Sequence, residues 1–321
     1  MENIEGLFRT VMKAVCYSAH LTKNAPLVSS VLKADMSVVS LYDVAIQILF
    51  CHMLREWPVT ILSEEEDNAF YRETLQTLES CSGDTPEYVY IQNFLRESGI
   101  SLEGSRIKAV VHSGIDPQDV CVVLDPIDGT KGFVSARSYS VVASCVHRGA
   151  VLFSIIACPK EGQIYYKCSM GGAGLSGYPH RKRVKTCRLG STFEQTYSEF
   201  ENTLSLHVCV SAEGSHSSSI VEEYLKRMQE MYPITVHRID GQGKYAYVAT
   251  QQMDIFLRAP STRICEKLWD HCAGVDMNDL SVVTDLHGKS LDPCVPTEYG
   301  VLASHSSFFH RISIGLLKDL I

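Results

Sequence analysis

The apolar run Val120-Cys121-Val122-Val123-Leu124 ends on an aspartate, and a second aspartate follows three residues later in LDPIDGTKGF (124–133). An unbroken apolar run of this length reads as a strand buried on both faces. Its end therefore lies inside the molecule, where a loop carries chemistry rather than solvent-facing decoration. Pro126 holds Asp125 extended and fixes its own φ, and Gly129 permits a turn that a residue with a Cβ resists. The expected result turns both carboxylates toward one pocket and leaves the Ile127 carbonyl free to coordinate. Two acids this close raise each other's pKa unless a cation sits between them. Hard oxygen ligands of this type suit Mg²⁺. An isolated Asp-Pro or Asp-Gly turn is usually only a turn. Here the acids recur: SEEED (63–67) follows a short strand, and Trp269-Asp270 opens a helix.

Around this motif the pattern alternates. Helical spacing marks residues 3–21 and 41–54, VTIL (59–62) is a short strand, and 86–97 is a helix inside a polar stretch (67–118) of otherwise open content. Residues 139–159 read as two strands joined at Arg148-Gly149, and GQIYYKC adds a third, an antiparallel meander. GGAG (171–174) and the basic run RKRVK (181–185) break the pattern, and the boundary between two halves is placed there. The expected domains are 1–175, α+β with an antiparallel-rich sheet, and 176–321, a smaller α/β half. In the second half 207–214 (strand then loop), strands at 235–240 and 254–259, and 281–288 (strand then turn) alternate with helices at 216–231, 244–252 and 269–279, which predicts a layered α/β unit.

Composition narrows the partners. With 321 residues, 45% hydrophobic and 21% charged, the chain is an ordinary globular one. A formal net charge of −8 argues against a nucleic-acid backbone as partner. The twelve cysteines form no C-x-x-C pair and sit in apolar stretches, so buried free thiols in a reducing compartment are expected. MENIEGLFRTVMKAV lacks the apolar run of a signal peptide, and no uncharged stretch reaches membrane-spanning length. The expectation is a cytoplasmic protein, monomer or homodimer, without nucleic acid or membrane as partner; a small anionic substrate stays open, because bound cations reverse the field inside a site.

Together KADMSVVSLYD (33–43), TILSEEED, LDPIDGTKGF, LFSIIACPK and WDHCAG resemble the lithium-sensitive, magnesium-dependent phosphomonoesterases of the inositol monophosphatase and fructose-bisphosphatase superfamily. TKGF, ACPK, AEGSHS (212–217) and the spacing of QGKY, FLR and WDHCAG resemble its 3'(2'),5'-bisphosphate nucleotidase branch most. The resemblance implies a layered α/β/α/β/α sandwich with two or three Mg²⁺ at the junction of its halves. It implies metal ligation by Glu64, Glu65, Asp125, the Ile127 carbonyl, Asp128 and Asp270; the third glutamate, Glu66, leaves the register of the pair open by one residue. Asp43 and Thr130 match the pair that orients and deprotonates the attacking water. Ser215 and His216 match nucleotide contacts, and Lys244 and Arg258 match phosphate-binding residues. Backbone N–H groups at Gly129 and Thr130 add anion binding where a helix opens there.

The chain departs from the pattern in three places. The family's S-P-V-T segment is Ser37-Val38-Val39-Ser40, without proline or threonine. The serine of S-Q-V-K-Y is Gly241, which removes a nucleotide contact. Ile264 stands where close relatives carry an aromatic able to stack on adenine. The expected activity is hydrolysis of the 3'-phosphate of adenosine 3',5'-bisphosphate, and of 3'-phosphoadenosine 5'-phosphosulfate, by metal-activated water. An inositol polyphosphate 1-phosphatase or broader sugar phosphatase stays open, and a non-catalytic nucleotide sensor ranks behind both.

Overall fold

The computed structural model describes residues 3–26, 30–32, 38–65, 69–80, 82–102, 110–111, 119–169, 184–189, 205–212, 219–260, 265–279 and 281–321. Helix α1 (Ile4–Lys23) starts where Asn3 Oδ1 accepts from Gly6 N at 2.8 Å, and it buries Leu7, Val11, Met12 and Val15 on one face. Strands β1 (Ser30–Leu32) and β2 (Val38–Ser40) form an antiparallel ribbon that runs directly into α2 (Leu41–Met53). Twelve consecutive residues of α2, Leu41 to His52, are buried, so it is a central helix with no solvent face. Then come β3 (Thr60–Ser63), α3 (Ala69–Glu79), α4 (Pro86–Glu97) and β4 (Val110–Val111).

Strand β5 (Val120–Asp128) and the short helix α5 (Thr130–Val134) carry the motif, followed by β6 (Ser140–His147), β7 (Ala150–Cys158), β8 (Gln163–Cys168) and β9 (Lys185–Arg188). These strands and the two before them make one sheet, in the order β4-β3-β5-β6-β7-β8-β9. β4, β3 and β5 run parallel, and the rest is the expected antiparallel meander. The second sheet draws on β10 (Leu206–Val210), β11 (Ile234–Arg238), β12 (Ile255–Arg258), β13 (Val282–Thr284) and β14 (Val301–Ser304), in the order β11-β10-β12-β14-β13. Its helices are α6 (Ser219–Met231), α7 (Gly243–Ala249), α8 (Cys272–Met277) and α9 (Ser307–Lys318).

The cores between these elements define five layers, as expected. Leu7, Val15, Ile46 and Leu49 of α1 and α2 pack with Val122, Leu124, Val141 and Ile155 on one face of the first sheet. Its other face contributes Val142, Ile156 and Tyr165, which join Tyr245, Val248, Ala273 and Met277 of α7 and α8 and Cys209, Phe256 and Ala303 of the second sheet. The far side of that sheet, Val208, Val210 and Leu257, is closed by Tyr224 and Met228 of α6 and Leu317 of α9. Alternate residues of β10 and β12 thus serve two different cores, which is why Val208-Cys209-Val210 and Ile255-Phe256-Leu257 are apolar at every position.

Several sequence expectations need correction. The polar stretch 67–118 holds α3 as well as α4; one helical turn in three faces inward at Tyr71, Thr74 and Leu78, a stripe too narrow to stand out. Lys185, placed in a pattern-breaking basic run, begins β9 and pairs with Tyr166 of β8. The helix expected over 269–279 is split: a 3₁₀ turn covers Leu268–Asp270, His271 departs from helical backbone at φ −135°, and α8 begins at Cys272. β14 and α9, beyond the region read from sequence, complete the second sheet and its outer layer. The eleven cysteines among the described residues are free, and burial pushes the thiols of Cys121, Cys145, Cys158 and Cys209 up to about 12, so they stay protonated and inert. No described helix is long and apolar enough to cross a membrane.

Two contacts join the first sheet to the segments beyond it. Lys167 of β8, 2% exposed, places Nζ 2.9 Å from Asp276 Oδ1 and 3.0 Å from Asp279 Oδ2, while Ser154 Oγ donates to Asp276 Oδ2 at 2.8 Å. The second contact is a crossing of glycine backbones. Gly129 (φ +87°) and Gly241 (φ +77°) touch, and a Cβ on Gly241 would lie 2.7 Å from Ser140 Oγ, 2.8 Å from Ser140 N and 2.9 Å from Asp128 O. Glycine at 241 is therefore demanded by packing and by its left-handed backbone, and a serine side chain has no room here.

Two outcomes follow from these contacts. Lys167→Met strands a buried carboxylate and is expected to cost about 3–5 kcal/mol; an unchanged denaturation midpoint would show the pair to be incidental. Gly241→Ser is expected to lower the melting temperature and displace Asp128, with a stability cost of roughly 1–3 kcal/mol. Gained nucleotide affinity at unchanged stability would instead restore the reading of Gly241 as a lost contact.

Candidate active site

Asp125 and Asp128 both lie within β5, which continues through the motif rather than stopping at Asp125. In a regular strand, residues three apart point to opposite faces. Here Asp125 pairs with Val142 and Asp128 with Ser140, so Pro126 and Ile127 together oppose a single residue of β6. That bulge shifts the phase by one residue and aims both carboxylates at one cavity. Pro126, with no N–H to offer a ladder, suits the bulged position. The chain then turns through left-handed Gly129 into α5.

The cavity measures about 220 Å³, and the acids Glu64, Asp125, Asp128 and Asp270 line it together with the cationic Lys244 and Arg258. The Ile127 backbone segment, Gly129, Thr130, Lys131, Ser211, Asp240, Gly241 and Val38 complete its wall. Thr130 Oγ1 lies 3.0 Å from Ile127 O and 3.3 Å from Asp43 Oδ1. Asp43 is fully buried, and its Oδ2 accepts from Ser40 N (2.8 Å) and Ser40 Oγ (2.5 Å) in a capping box that starts α2. Ser40 thus supplies the hydroxyl cap at the position where the family pattern has threonine, and Asp43 is set without the missing proline.

Burial pushes the Asp125 carboxyl well above the usual range, and the Glu64, Asp128, Asp270 and Asp43 charges push it further. Burial likewise raises Asp128 to about 6, with Asp270 adding to the rise and Lys244, Arg258 and His271 opposing it. Asp270 is raised by burial against the pull of His271 and Arg258. Lys244 is lowered by burial although Asp128 supports its charge. Two of its three donors go to Ile239 O (2.9 Å) and Gly241 O (2.6 Å), leaving one for the cavity. Burial alone would lower Arg258, but Glu266, 2.5 Å from its Nε, and then Asp270 and Asp128 hold it above its ordinary value.

The residues present fit a divalent cation. Asp125 Oδ1 is buried and has no hydrogen-bond partner among the described residues. Such an atom is costly without a counter-charge. Its neighbours are carboxylate and carbonyl oxygens, the donor set of hard ions. Among the described residues no three His, Cys, Asp or Glu side chains stand together in an arrangement that could hold a metal ion. An octahedral ion that keeps several waters needs only one or two carboxylates.

Of the residues singled out from sequence, Glu64, Asp125, Ile127, Asp128, Gly129, Thr130, Lys244, Arg258 and Asp270 come together around the cavity, and Asp43 stands behind Thr130. Glu65 is not on the cavity wall: it is 2% exposed, and Gln47 of α2 clasps its backbone through Gln47 Nε2 to Glu65 O (2.8 Å). Ser215, His216 and Ile264 lie outside the described residues. Sequence reasoning missed Ser211, Asp240 and Lys131. Asp240 directly precedes the glycine crossing and takes Arg137 Nε at 2.8 Å, a pairing 103 residues apart that no local pattern announces.

A family model described as the inositol monophosphatase family matches residues 30–318. A 3'(2'),5'-bisphosphate nucleotidase of Schizosaccharomyces pombe is 26% identical over 310 residues, spanning 91% of this chain and 87% of its own. Among solved structures, the Thermotoga maritima IMPase has a TM-score of 0.62 at 17% identity, covering 99% of this chain and 98% of its own. An IMPase/NADP phosphatase complexed with Mg²⁺ and phosphate has a TM-score of 0.58 at 14% identity, covering 98% and 95%. The structural likeness carries the five-layer fold, and the family match runs from β1 to the last turn of α9. This chain belongs to the inositol monophosphatase family.

Proposed function

We propose that this chain is a Mg²⁺-dependent 3'(2'),5'-bisphosphate nucleotidase that converts adenosine 3',5'-bisphosphate and water to AMP and phosphate. The observation that carries the reading is the lining of one cavity of about 220 Å³: four acids, among them Asp125 with a buried oxygen that lacks a hydrogen-bond partner, together with Lys244 and Arg258. Similarity to nucleotidases over most of the chain supports the nucleoside bisphosphate as substrate. The neighbour complexed with Mg²⁺ and phosphate supports the choice of cation.

In this reading Glu64, Asp125, Asp128, Asp270 and the Ile127 carbonyl would hold the cations, with Glu65 behind them. Bound there, the cations would neutralise the phosphate dianion and acidify the attacking water. Thr130 and Asp43 move the proton: a water against Thr130 Oγ1 passes its proton to the hydroxyl as the hydroxyl gives its own to Asp43 Oδ1, 3.3 Å away. The water oxygen bonds to phosphorus, the 3'-ester bond breaks, and the ribose oxygen takes up a proton from solvent water as it leaves, while Asp43 returns its proton to solvent. Lys244 and Arg258 hold the 5'-phosphate, the anion that does not react, and Ser215 and His216 contact the nucleotide. The acids of the early strands belong to residues 1–175 and Lys244, Arg258 and Asp270 to 176–321, the division we take as two domains.

Phosphate release from adenosine 3',5'-bisphosphate is expected to require Mg²⁺ and to fall by about 10²-fold or more in Asp125→Asn, a loss of several kcal/mol of transition-state stabilisation. Inositol 1,4-bisphosphate turned over equally well or better would overturn the nucleotidase assignment. Stability supplies a second measurement. Asp128 binds its proton more tightly folded (about 6) than at its ordinary 3.8, and Asp125 shifts the same way. Across that window the folded state binds more protons than the unfolded one, so the metal-free protein loses stability as pH rises from about 4 through about 6. Mg²⁺ is accordingly expected to raise the melting temperature more at pH 7.5 than at pH 5; equal gains would contradict cation binding between these acids.

A further inference from the structure

Behind Arg258 lies a chain of buried polar groups that the proposed chemistry does not use. Glu266, 1% exposed at its side chain, contacts Arg258 Nε through Oε1 at 2.5 Å. Its other oxygen, Oε2, meets His271 Nε2 in a short contact, and His271 Nδ1 lies 2.6 Å from Tyr245 Oη. The backbone of Glu266 is itself pinned, its N–H donating to Thr297 O at 2.9 Å. The Tyr245 hydroxyl, kept protonated by burial, donates to His271 Nδ1 or accepts from it according to the imidazole tautomer. Glu266 stands in ion-pair contact with both Arg258 and His271, although neither contact has hydrogen-bond geometry.

Resting on the reading above, we propose that Glu266, oriented by His271 and Tyr245, is a positioning residue that fixes the guanidinium of Arg258 for the substrate's non-reacting phosphate. A guanidinium has five N–H donors in a rigid fork. Holding Nε from behind fixes the plane of the fork and turns its terminal N–H groups to the cavity that Arg258 lines. The segment Glu266–His271 also carries Asp270, so one stretch of six residues sets both a cation ligand and the orientation of the anion clamp. Tyr245 adjoins Lys244, and its ring packs so tightly on Gly274 of α8 that a Cβ there would lie 2.3 Å from it. The same network thereby ties α7, β12 and α8 to one geometry.

The test is a double-mutant cycle with Glu266→Gln and Arg258→Ala, read by calorimetric affinity for AMP, which keeps the 5'-phosphate, and by KM and kcat for adenosine 3',5'-bisphosphate. Glu266→Gln alone is expected to weaken AMP binding and raise KM on the order of tenfold, with kcat within about threefold, as for a lost charged contact. In the Arg258→Ala background it is expected to add no more than about twofold, because neighbours acting through one group are not additive. Equal losses in both backgrounds, or a fall in kcat at constant KM, would overturn the positioning role. If Glu266→Gln does not fold, Tyr245→Phe, which removes only the hydroxyl, carries the same cycle with an expected two- to threefold effect, and full additivity there overturns the proposal. If wild type binds AMP with this pattern but does not hydrolyse the bisphosphate, the substrate reading fails and the clamp stands. If wild type hydrolyses the bisphosphate but Arg258→Ala leaves AMP affinity unchanged, the clamp fails and the substrate reading stands.

Discussion

Like charges brought together out of water are the constraint around which this molecule is arranged. Burial and then the charges of Glu64, Asp128, Asp270 and Asp43 push Asp125 up, and burial with Asp270 pushes up Asp128. Burial of a charge without compensation is among the costliest things a fold can do. The compensation available within the chain, Lys244 and Arg258, lines the same cavity and is partly engaged elsewhere, with Gly241 O and with Glu266. The unmet part is the orphaned oxygen of Asp125. A site in this condition holds cations or protons, and the hardness of its donors favours the divalent ion.

The rest of the architecture serves to hold these acids and cations at fixed positions. Lys167 bonds the α8 segment to the first sheet through Asp276 and Asp279, and Leu268, Trp269 and Cys272 pack on Leu62, Cys121 and Val123 of β3 and β5. Asp270 is carried on the stretch so docked. The crossing of Gly129 and Gly241, on the cavity wall, brings the turn before α7, and with it Lys244, against the turn after β5. Displacement of either contact changes the distances among the acids and cations. Ångström-scale errors of this kind are enough to cost a catalytic site much of its rate.

Much of the fold was legible. The two-faced burial of β5, the meander after it and the alternation over 206–284 follow from apolar period and turn residues, signals that survive without tertiary knowledge. α3 was lost because its inward stripe is three residues wide, and β9 because a strand of four with one buried residue, Cys187, has no periodicity to read. The split between Asp270 and α8 was hidden because Trp269 to Met277 has helical spacing throughout; the departure at His271 comes from its buried contacts with Glu266 and Tyr245. The packing around Gly241 was hidden for a related cause. Its neighbours in space, Ser140 and Asp128, are more than a hundred residues away, so no local pattern announces the close approach.

Residue chemistry is local and travels with the chain. The sequence by itself therefore determined that an apolar strand delivers hard oxygen donors to the interior, that Thr130 follows them, and that Lys244 and Arg258 belong to the same site. Phase, distance and orientation are properties of packing, and only the tertiary structure decided them. The bulge at Pro126-Ile127 put two carboxylates on one face, Ser40 set Asp43 where a proline was absent, and Glu266 was placed behind Arg258. The physical reason is range. A donor's hardness is fixed by its own atoms, whereas the direction in which it points is fixed by residues that meet only after the layers have closed.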